Sequence, residues 1–175
     1  GLDNNKEKDS VVILFGGDNC PNDISLRKMY PGTWMYTSST GWKATGDGLR
    51  SPEPRISSSM AALGNTVILF GGQNQGNMKL ATVWTFDQKT LAWTESKNDI
   101  TPSRRVEHSM ITLASCKQNL LSLSDHSCII VFGGINAYGK YLHDAWTLVQ
   151  TEGDDWTELN DKSIHIPPPR AAHAM

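Results

Sequence analysis

Three copies of one apolar hexapeptide limit what this chain can fold into. "VILFGG" occupies positions 67–72, and variants of it end at Gly17 and Gly134. Each copy is apolar at every position before its two glycines, which is typical of a strand in a sheet covered on both faces. The paired glycines indicate a bend where the backbone passes a neighbour too closely for a Cβ atom. The repeat therefore predicts a packing unit and not a catalytic motif.

The residues around each hexapeptide recur in the same order. Each double glycine is followed by a polar loop, by a tryptophan, and by a second tryptophan 8, 9 or 10 residues later. An arginine then opens the next unit, five residues before a methionine. The pattern of each unit predicts four short antiparallel strands. These strands would form a sheet that is too small to bury both of its faces alone. Radial stacking of such sheets gives a β-propeller.

The units resemble the kelch repeat, which has a hydrophobic run ending in Gly-Gly, an aromatic residue on its third strand and a tryptophan on its fourth. Residues 69–96 match this pattern throughout, whereas the first copy is looser because seventeen positions separate Gly17 from Trp34. The resemblance implies an all-β kelch-type β-propeller with about three four-stranded blades. The kelch repeats are expected over 1–175, with the last three strands of blade 1 in 11–46, blade 2 in 55–97, blade 3 in 105–160 and the first strand of a next blade in 170–175.

Strand number predicts an arc of a larger ring. The first unit supplies three strands, the next two supply four each, and residues 170–175 supply one, which makes three blades' worth. Propellers typically carry about 4 to 8 blades. We therefore expect the remaining blades in the same longer polypeptide or, as the alternative, in a second copy of this chain. Expressed alone, such an arc would expose apolar sheet faces and should aggregate or form oligomers.

Composition excludes several classes of function. The net charge is −2, from 16 basic and 18 acidic residues, so no basic field is available for nucleic acid. Apolar runs are far shorter than the roughly 20 residues that span a membrane. Common catalytic motifs are absent, and no catalytic residue, metal ligand or cofactor is assigned. We expect a noncatalytic protein-interaction propeller; the alternatives are a kelch-fold oxidase or carbohydrate-active enzyme, and an architectural assembly module.

Candidate binding residues lie at the loops and at the start of each inner strand. The sequence resembles kelch adaptors of cullin ubiquitin ligases at those strands, where such proteins grip acidic peptides with arginines. The resemblance implies a protein partner with an acidic segment; the alternative is that the arginines bond carbonyls or acids of the protein itself. Tyrosines, amides and lysines of the loops would complete the surface, unless the loops are merely solvated. The predicted binding residues are Arg55, Arg105, Arg170, Asn74, Gln75, Lys79, Tyr138, Lys140 and Tyr141.

His108 and His173 share one position of the repeat, but Ser58 occupies it in the first unit. Two histidines in neighbouring blades could ligate a metal, as histidines do in kelch-like copper oxidases. No local spacing reproduces that ligand set, and Ser58 breaks the pattern. We therefore expect structural hydrogen bonding by these histidines.

Cys116 and Cys128 bracket an insertion between the first two strands of blade 3 and are candidates for a disulfide. Hairpin register places Leu113 opposite Cys128, so a bridge requires the insertion to bend. Residues 115–127 are expected to project from the end opposite the double-glycine loops. Three cysteines leave one unpaired, which favours a cytoplasmic over a secreted location, whereas the bridge would favour an oxidising compartment. The compartment stays open.

Overall fold

The computed structural model describes residues 10–20, 26–45, 50–116, 126–150, 154–159 and 167–175. These residues form fifteen strands, in chain order β1 (Val11–Phe15), β2 (Thr33–Thr37), β3 (Gly41–Thr45), β4 (Arg55–Ile56), β5 (Ser59–Leu63), β6 (Thr66–Phe70), β7 (Gln73–Asn74), β8 (Val83–Asp87), β9 (Ala92–Glu95), β10 (Arg105–Val106), β11 (Ser109–Cys116), β12 (His126–Phe132), β13 (Ile135–Asn136), β14 (Ala145–Gln150) and β15 (Asp154–Glu158).

Most strands belong to three antiparallel sheets, one for each sequence unit. Blade 1 has the order β1-β2-β3, blade 2 has β5-β6-β8-β9, and blade 3 has β11-β12-β14-β15. Two short ladders, β4-β7 and β10-β13, join each arginine strand to the loop of its own unit. The prediction of an all-β fold built from four-stranded blades is confirmed.

Apolar clusters between the blades form the core. Strand β6 is fully buried at Ile68, Leu69 and Phe70, because blade 1 covers one of its faces and blade 3 the other. Aromatic pairs bridge both junctions. Phe15 lies 5.4 Å from Trp93 between ring centroids, and Phe70 lies 5.5 Å from Trp156. The phenylalanine before the double glycine, Phe15 in blade 1 and Phe70 in blade 2, therefore fills the gap to the fourth strand of the next blade.

The double glycine of blade 2 shows why no side chain is tolerated there. Gly71 and Gly72 have φ angles of +67° and +94°, in the left-handed region that favours glycine. A Cβ atom on Gly71 would lie 2.8 Å from Cε1 of His108, and one on Gly72 would lie 2.8 Å from the carbonyl oxygen of Ile56. The sequence prediction of a close backbone approach is therefore correct.

Each junction between units also has the same main-chain hydrogen bond. The second glycine of one unit donates its N–H to the carbonyl of the arginine that opens the next unit. These bonds are Gly17 to Arg55 at 3.0 Å, Gly72 to Arg105 at 2.9 Å and Gly134 to Arg170 at 2.8 Å. We refer to these bonds as the glycine–arginine clasps.

A second series of main-chain bonds links the inner turns. The residue two positions after each arginine has a positive φ angle, 52° at Ser57, 57° at Glu107 and 52° at Ala172. The N–H of Glu107 donates to the carbonyl of Ser57, and the N–H of Ala172 donates to that of Glu107. The three units are thus joined in series, although none of these residues is a glycine.

A disulfide joins Cys116 and Cys128, whose Cα atoms are 5.8 Å apart. Leu113 pairs with Cys128, as hairpin register predicts, while Cys116 pairs with His126. The shift between these pairs is a β-bulge that adds one residue to β11. This bend brings Cys116 within bonding distance of Cys128. The insertion expected to project, 115–127, lies mostly outside the described residues.

Residues 170–175, expected to begin a further blade, form no ladder with another described strand. They are nevertheless attached to blade 3. The N–H of Arg170 donates to the carbonyl of Leu142, and its carbonyl accepts the clasp from Gly134. This segment therefore holds the position that β4 and β10 hold at the two earlier junctions.

Candidate interaction surface

The loops after the double glycines form one continuous surface. We define the loop surface as the described residues of 18–32, 73–82 and 135–144. The side chain of Gln75 joins the first two loops, because it accepts from the N–H of Met29 at 3.1 Å and donates to the carbonyl of Arg27 at 2.9 Å. Lys79 joins the last two by donating from Nζ to the carbonyl of Asn136 at 2.8 Å.

Equivalent asparagines shape the tips of the second and third loops. Oδ1 of Asn136 accepts from the N–H groups of Tyr138 and Lys140, both at 3.0 Å. Oδ1 of Asn74 accepts in the same way from the N–H of Met78 at 3.0 Å. These asparagine bonds hold the exposed residues of each tip on a fixed backbone.

The loop surface carries large apolar side chains in contact with solvent. Tyr138 is 94% exposed. Four more side chains on the same surface are between 48% and 67% exposed, namely Leu26, Tyr30, Met78 and Tyr141. Rigid aromatic side chains exposed in this way are typical of protein-interaction sites.

Two grooves open between the loops and the outer strands. The groove of blade 2 has a volume of about 330 Å³ and the one of blade 3 about 200 Å³. Met78 and Lys79 form one wall of the first, and the equivalent residues Lys140 and Tyr141 form one wall of the second. The exposed loop residues therefore border two concavities at equivalent positions of neighbouring blades.

Arg55 is directed into the protein and is 1% exposed. Its Nη1 donates to the carbonyl of Gly71 and to Oγ1 of Thr82, both at 3.0 Å, and its Nε donates to the carbonyl of Glu53. Burial lowers the pKa of Arg55 to about 10, although the nearby carboxylates of Glu53 and Glu95 oppose this change. The guanidinium therefore holds the loop against the blade and is not presented to a partner.

Arg105 is fully buried and bonds the protein in the same way, with a carboxylate added. It donates to the carbonyl of Gly133 at 3.0 Å and forms a bidentate ion pair with Asp144 at 2.8 and 2.6 Å. Oδ2 of Asp144 also accepts from the indole N–H of Trp146 at 2.8 Å. Burial opposes ionisation of Asp144, but the bonds from Arg105 and Trp146 hold its pKa below the usual value.

The binding role expected for Arg55 and Arg105 is therefore corrected. Both side chains donate hydrogen bonds to acceptors within their own blades. This is the alternative stated above, in which the arginines bond carbonyls or acids of the protein itself. Arg170 alone of the three is exposed, and its Nε donates to the carbonyl of Pro168 at 3.1 Å.

The predicted loop residues divide into two groups. Asn74, Gln75 and Lys79 bond neighbouring segments; Asn74 donates to Oε2 of Glu53 at 2.9 Å. Tyr138, Lys140 and Tyr141 are exposed and project from the surface. Sequence reasoning missed three exposed apolar residues of the same surface, although an apolar residue within a polar loop was a usable signal: Leu26, Tyr30 and Met78.

His108 and His173 both pack on phenylalanines. The ring centroids of His108 and Phe70 are 5.2 Å apart, and those of His173 and Phe132 are 5.5 Å apart. The expectation of structural hydrogen bonding is wrong for their rings, whose nitrogens have no hydrogen-bond partner among the described residues. Burial and the charge of Arg105 lower the pKa of His108 to about 3, so its ring is neutral.

The described residues contain no cluster of three or more His, Cys, Asp or Glu side chains suited to a metal ion. No helix in this part of the chain is long and apolar enough to cross a lipid bilayer.

The stacked blades, double-glycine bends and inter-blade tryptophans define the class of kelch-repeat proteins. The chain belongs to this family: residues 5–175 match the KLHDC2/KLHL20/DRC7 Kelch-repeats domain. Over 70% of its length it is 34% identical to an F-box/kelch-repeat protein of Arabidopsis thaliana. Over 71% of its length it is 26% identical to a host cell factor homologue of Caenorhabditis elegans. The matched region spans 25% and 15% of those two relatives.

Proposed function

We propose that this domain is a noncatalytic protein-binding module and that its partner contacts the loop surface. One observation carries the proposal: Tyr138 is 94% exposed on a turn whose backbone is held by Asn136. A tyrosine offers a large contact area and loses little conformational entropy on binding. Tyr141, 54% exposed, lies three residues further on, beside the groove of blade 3.

Charge on the same surface indicates what kind of partner would fit. Lys28 and Lys140 are exposed there, whereas Arg27 is paired with Asp18 at 2.6 Å. A partner segment with an acidic residue beside an apolar one would match the lysines and the tyrosines together. Exposed lysines, and not the buried Arg55 and Arg105, would therefore contact an acidic segment of the partner.

The family supports the general class of function. Kelch-repeat domains are generally protein-interaction modules, and the two relatives are named as an F-box/kelch-repeat protein and a host cell factor homologue.

The test is cross-linking followed by a binding measurement. A photoreactive benzoylphenylalanine at position 138 should capture a protein partner in cells, and the same group at position 91 should not. Leu91 is a suitable control because it is 36% exposed in the β8–β9 turn, at the opposite end of blade 2. Equal capture of the same proteins from both positions would contradict the proposal.

The captured partner then allows a quantitative comparison. Tyr138→Ala should weaken its binding about 30-fold, which corresponds to about 2 kcal/mol, as expected for an aromatic contact at the centre of an interface. The free energy of unfolding of this variant should differ from that of the wild type by less than about 0.5 kcal/mol, because the side chain of Tyr138 is exposed. Lys140→Ala should lower the rate of association with the partner. The control Lys89→Ala should change neither the association rate nor the dissociation rate. An unchanged affinity for Tyr138→Ala would place the binding site elsewhere.

A further inference from the structure

Arg55 and Arg105 occupy equivalent positions, and their guanidinium groups have the same orientation. Nη1 of each arginine donates at 3.0 Å to a glycine carbonyl of its own unit, Gly71 for Arg55 and Gly133 for Arg105. Nε of each donates to the main-chain carbonyl two positions earlier. The other atoms around the two side chains can therefore be compared directly.

The two arginines differ at Nη2. In blade 3, Oδ2 of Asp144 accepts from Nη2 of Arg105 at 2.6 Å and from the indole N–H of Trp146 at 2.8 Å. In blade 2, Thr82 replaces this aspartate and accepts only from Nη1 of Arg55. No described residue accepts a hydrogen bond from Nη2 of Arg55.

Trp84 places a second donor beside this Nη2. It is the counterpart of Trp146, because it pairs with Glu95 as Trp146 pairs with Glu158. Its indole N–H is buried and has no acceptor in the described part of the chain. In blade 3 the equivalent indole and the arginine share one carboxylate oxygen. The two donors of blade 2 therefore converge where a single anionic oxygen would accept from both.

The groove of blade 2 gives access to these donors. Thr82 lines this groove, as Asp144 lines the groove of blade 3. The side chain of Asp144 is 22% exposed, so the position of its carboxylate faces the groove. A small molecule in the groove of about 330 Å³ can reach the equivalent position in blade 2. A folded protein partner cannot, because Arg55 is 1% exposed.

The charges around the groove favour an anion. The carboxylates of Glu53 and Glu95 act on the charge of Arg55 but accept no hydrogen bond from it. The guanidinium is thus buried without a directly bonded carboxylate. Lys79 and Arg104 line the groove and add positive charge to it, whereas Glu95 is the acidic residue among its lining side chains.

The remaining lining of the groove favours an organic anion. Four apolar side chains line it beside Thr82, namely Met78, Leu80, Ala81 and Val83. A short aliphatic chain attached to the anionic group would bury apolar surface against them. A carboxylate also has the geometry that Asp144 presents to Arg105 in blade 3.

We propose that the groove of blade 2 binds a small aliphatic carboxylate. One of its oxygens accepts from Nη2 of Arg55 and from the indole N–H of Trp84, as Oδ2 of Asp144 accepts from the equivalent donors. The hydroxyl of Thr82, which accepts from Arg55, can donate its proton to the other oxygen. This site does not depend on the protein contact proposed for Tyr138.

The first test is an NMR titration with propionate of a chain labelled at its tryptophan nitrogens. Comparison with Trp84→Phe identifies the indole signal of Trp84. This signal should shift with saturation as propionate is added. Propionamide, which is similar in size but uncharged, should not shift it, and neither should chloride at the same ionic strength. A signal that does not move, or that moves equally with chloride or propionamide, would overturn the proposal.

Thr82→Asp tests whether propionate binds where Asp144 has its carboxylate. The new side chain would engage both donors itself, so propionate should bind at least about 30-fold more weakly. The control Thr157→Asp lies on the exposed outer strand of blade 3 and should bind propionate like the wild type. Equal binding by Thr82→Asp and the wild type would refute the site.

Urea unfolding gives an independent measure of the same binding. Propionate should raise the urea midpoint of the wild type and of Thr157→Asp, but not that of Thr82→Asp, because a ligand stabilises only the state that binds it. Trp84→Phe keeps Arg55 and removes one donor, so the propionate concentration needed for this effect should rise about fivefold. An unchanged concentration dependence in Trp84→Phe would contradict the shared oxygen.

Discussion

Thr82→Asp should stabilise the protein, because blade 2 lacks a carboxylate that blade 3 has. Asp144 receives two bonds from Arg105 and one from the indole of Trp146. Thr82 is its counterpart in blade 2 and accepts one bond from Arg55 at 3.0 Å. The indole N–H of Trp84, the counterpart of Trp146, is buried, and no described residue accepts a hydrogen bond from it.

The gain follows from the bonds that the new carboxylate would accept. A hydrogen bond to a charged group contributes about 1.5–3 kcal/mol, and satisfying the indole N–H adds about 1 kcal/mol. Desolvation of the carboxylate offsets part of this gain. We expect a net stabilisation of about 1–2 kcal/mol, or a rise in Tm of about 4 °C for a chain of this length.

The reciprocal variant tests the same reasoning from the other side. Asp144→Thr leaves Arg105 buried without its carboxylate and should cost about 3 kcal/mol, the low end for a buried pair because the Asp144 side chain is 22% exposed. Both variants should be compared with the wild type by urea unfolding followed through tryptophan fluorescence. The folded chain holds the pKa of Asp144 low, so the contribution of this carboxylate is present above about pH 4 and is lost as the pH falls further. The gain from Thr82→Asp should show the same dependence on pH.

Two outcomes would refute this account. A loss of less than about 1 kcal/mol for Asp144→Thr would mean that Arg105 does not depend on its carboxylate. If Thr82→Asp destabilised the protein, and by the same amount at pH 3 as at pH 7, the new carboxylate would not be interacting with Arg55 as an anion.

Two further predictions concern buried polar atoms. Trp93 donates from its indole to Oγ1 of Thr33 at 2.7 Å, whereas Trp156 has Val83 in the equivalent place and no hydrogen-bond partner for its buried N–H among the described residues. Thr33→Val should therefore destabilise the protein by about 1–2 kcal/mol, and Val83→Thr should stabilise it by about 1 kcal/mol. Urea midpoints that move in the same direction for both variants would contradict this expectation. Because the folded chain holds the pKa of His108 near 3, the unfolded chain binds a proton below about pH 6.5 that the folded chain does not, and stability should fall by about 2 kcal/mol between pH 7 and pH 5. His108→Phe should lessen this fall in urea titrations at the two pH values; an equal fall in that variant would assign the dependence to other groups.

The fold could be predicted from the sequence because its main determinants are local. An unbroken apolar run requires cover on both faces, and Ile68 and Leu69 are indeed buried between two blades. The double glycine indicates a close approach wherever it occurs, and Gly71 meets Arg105 and His108 of the next unit. The positive φ angle of Glu107 could not be predicted in this way, because a bond to the preceding unit, and not the residue type, selects that conformation.

The role of the arginines could not be read from the sequence because their acceptors are distant or belong to the backbone. Arg105 finds its carboxylate 39 positions away, and Arg55 bonds a glycine carbonyl that carries no signal in residue type. The exposed tip is the opposite case. Tyr138 lies two residues after Asn136 and directly before Gly139, which indicates a turn and hence an exposed side chain.

The glycine–arginine clasps have a consequence for how such a chain can change in length. Every junction is fastened through the same pair of main-chain atoms, so its spacing does not depend on which side chains meet there. Thr33 and Val83 occupy equivalent places at the two junctions, and so do Phe86 and Leu148, yet the clasps at Gly17 and Gly72 differ by only 0.1 Å. After duplication or deletion of a whole unit, the units that become neighbours would therefore still form this hydrogen bond. Blade number in this architecture can change by whole repeats, and no new type of interface is needed.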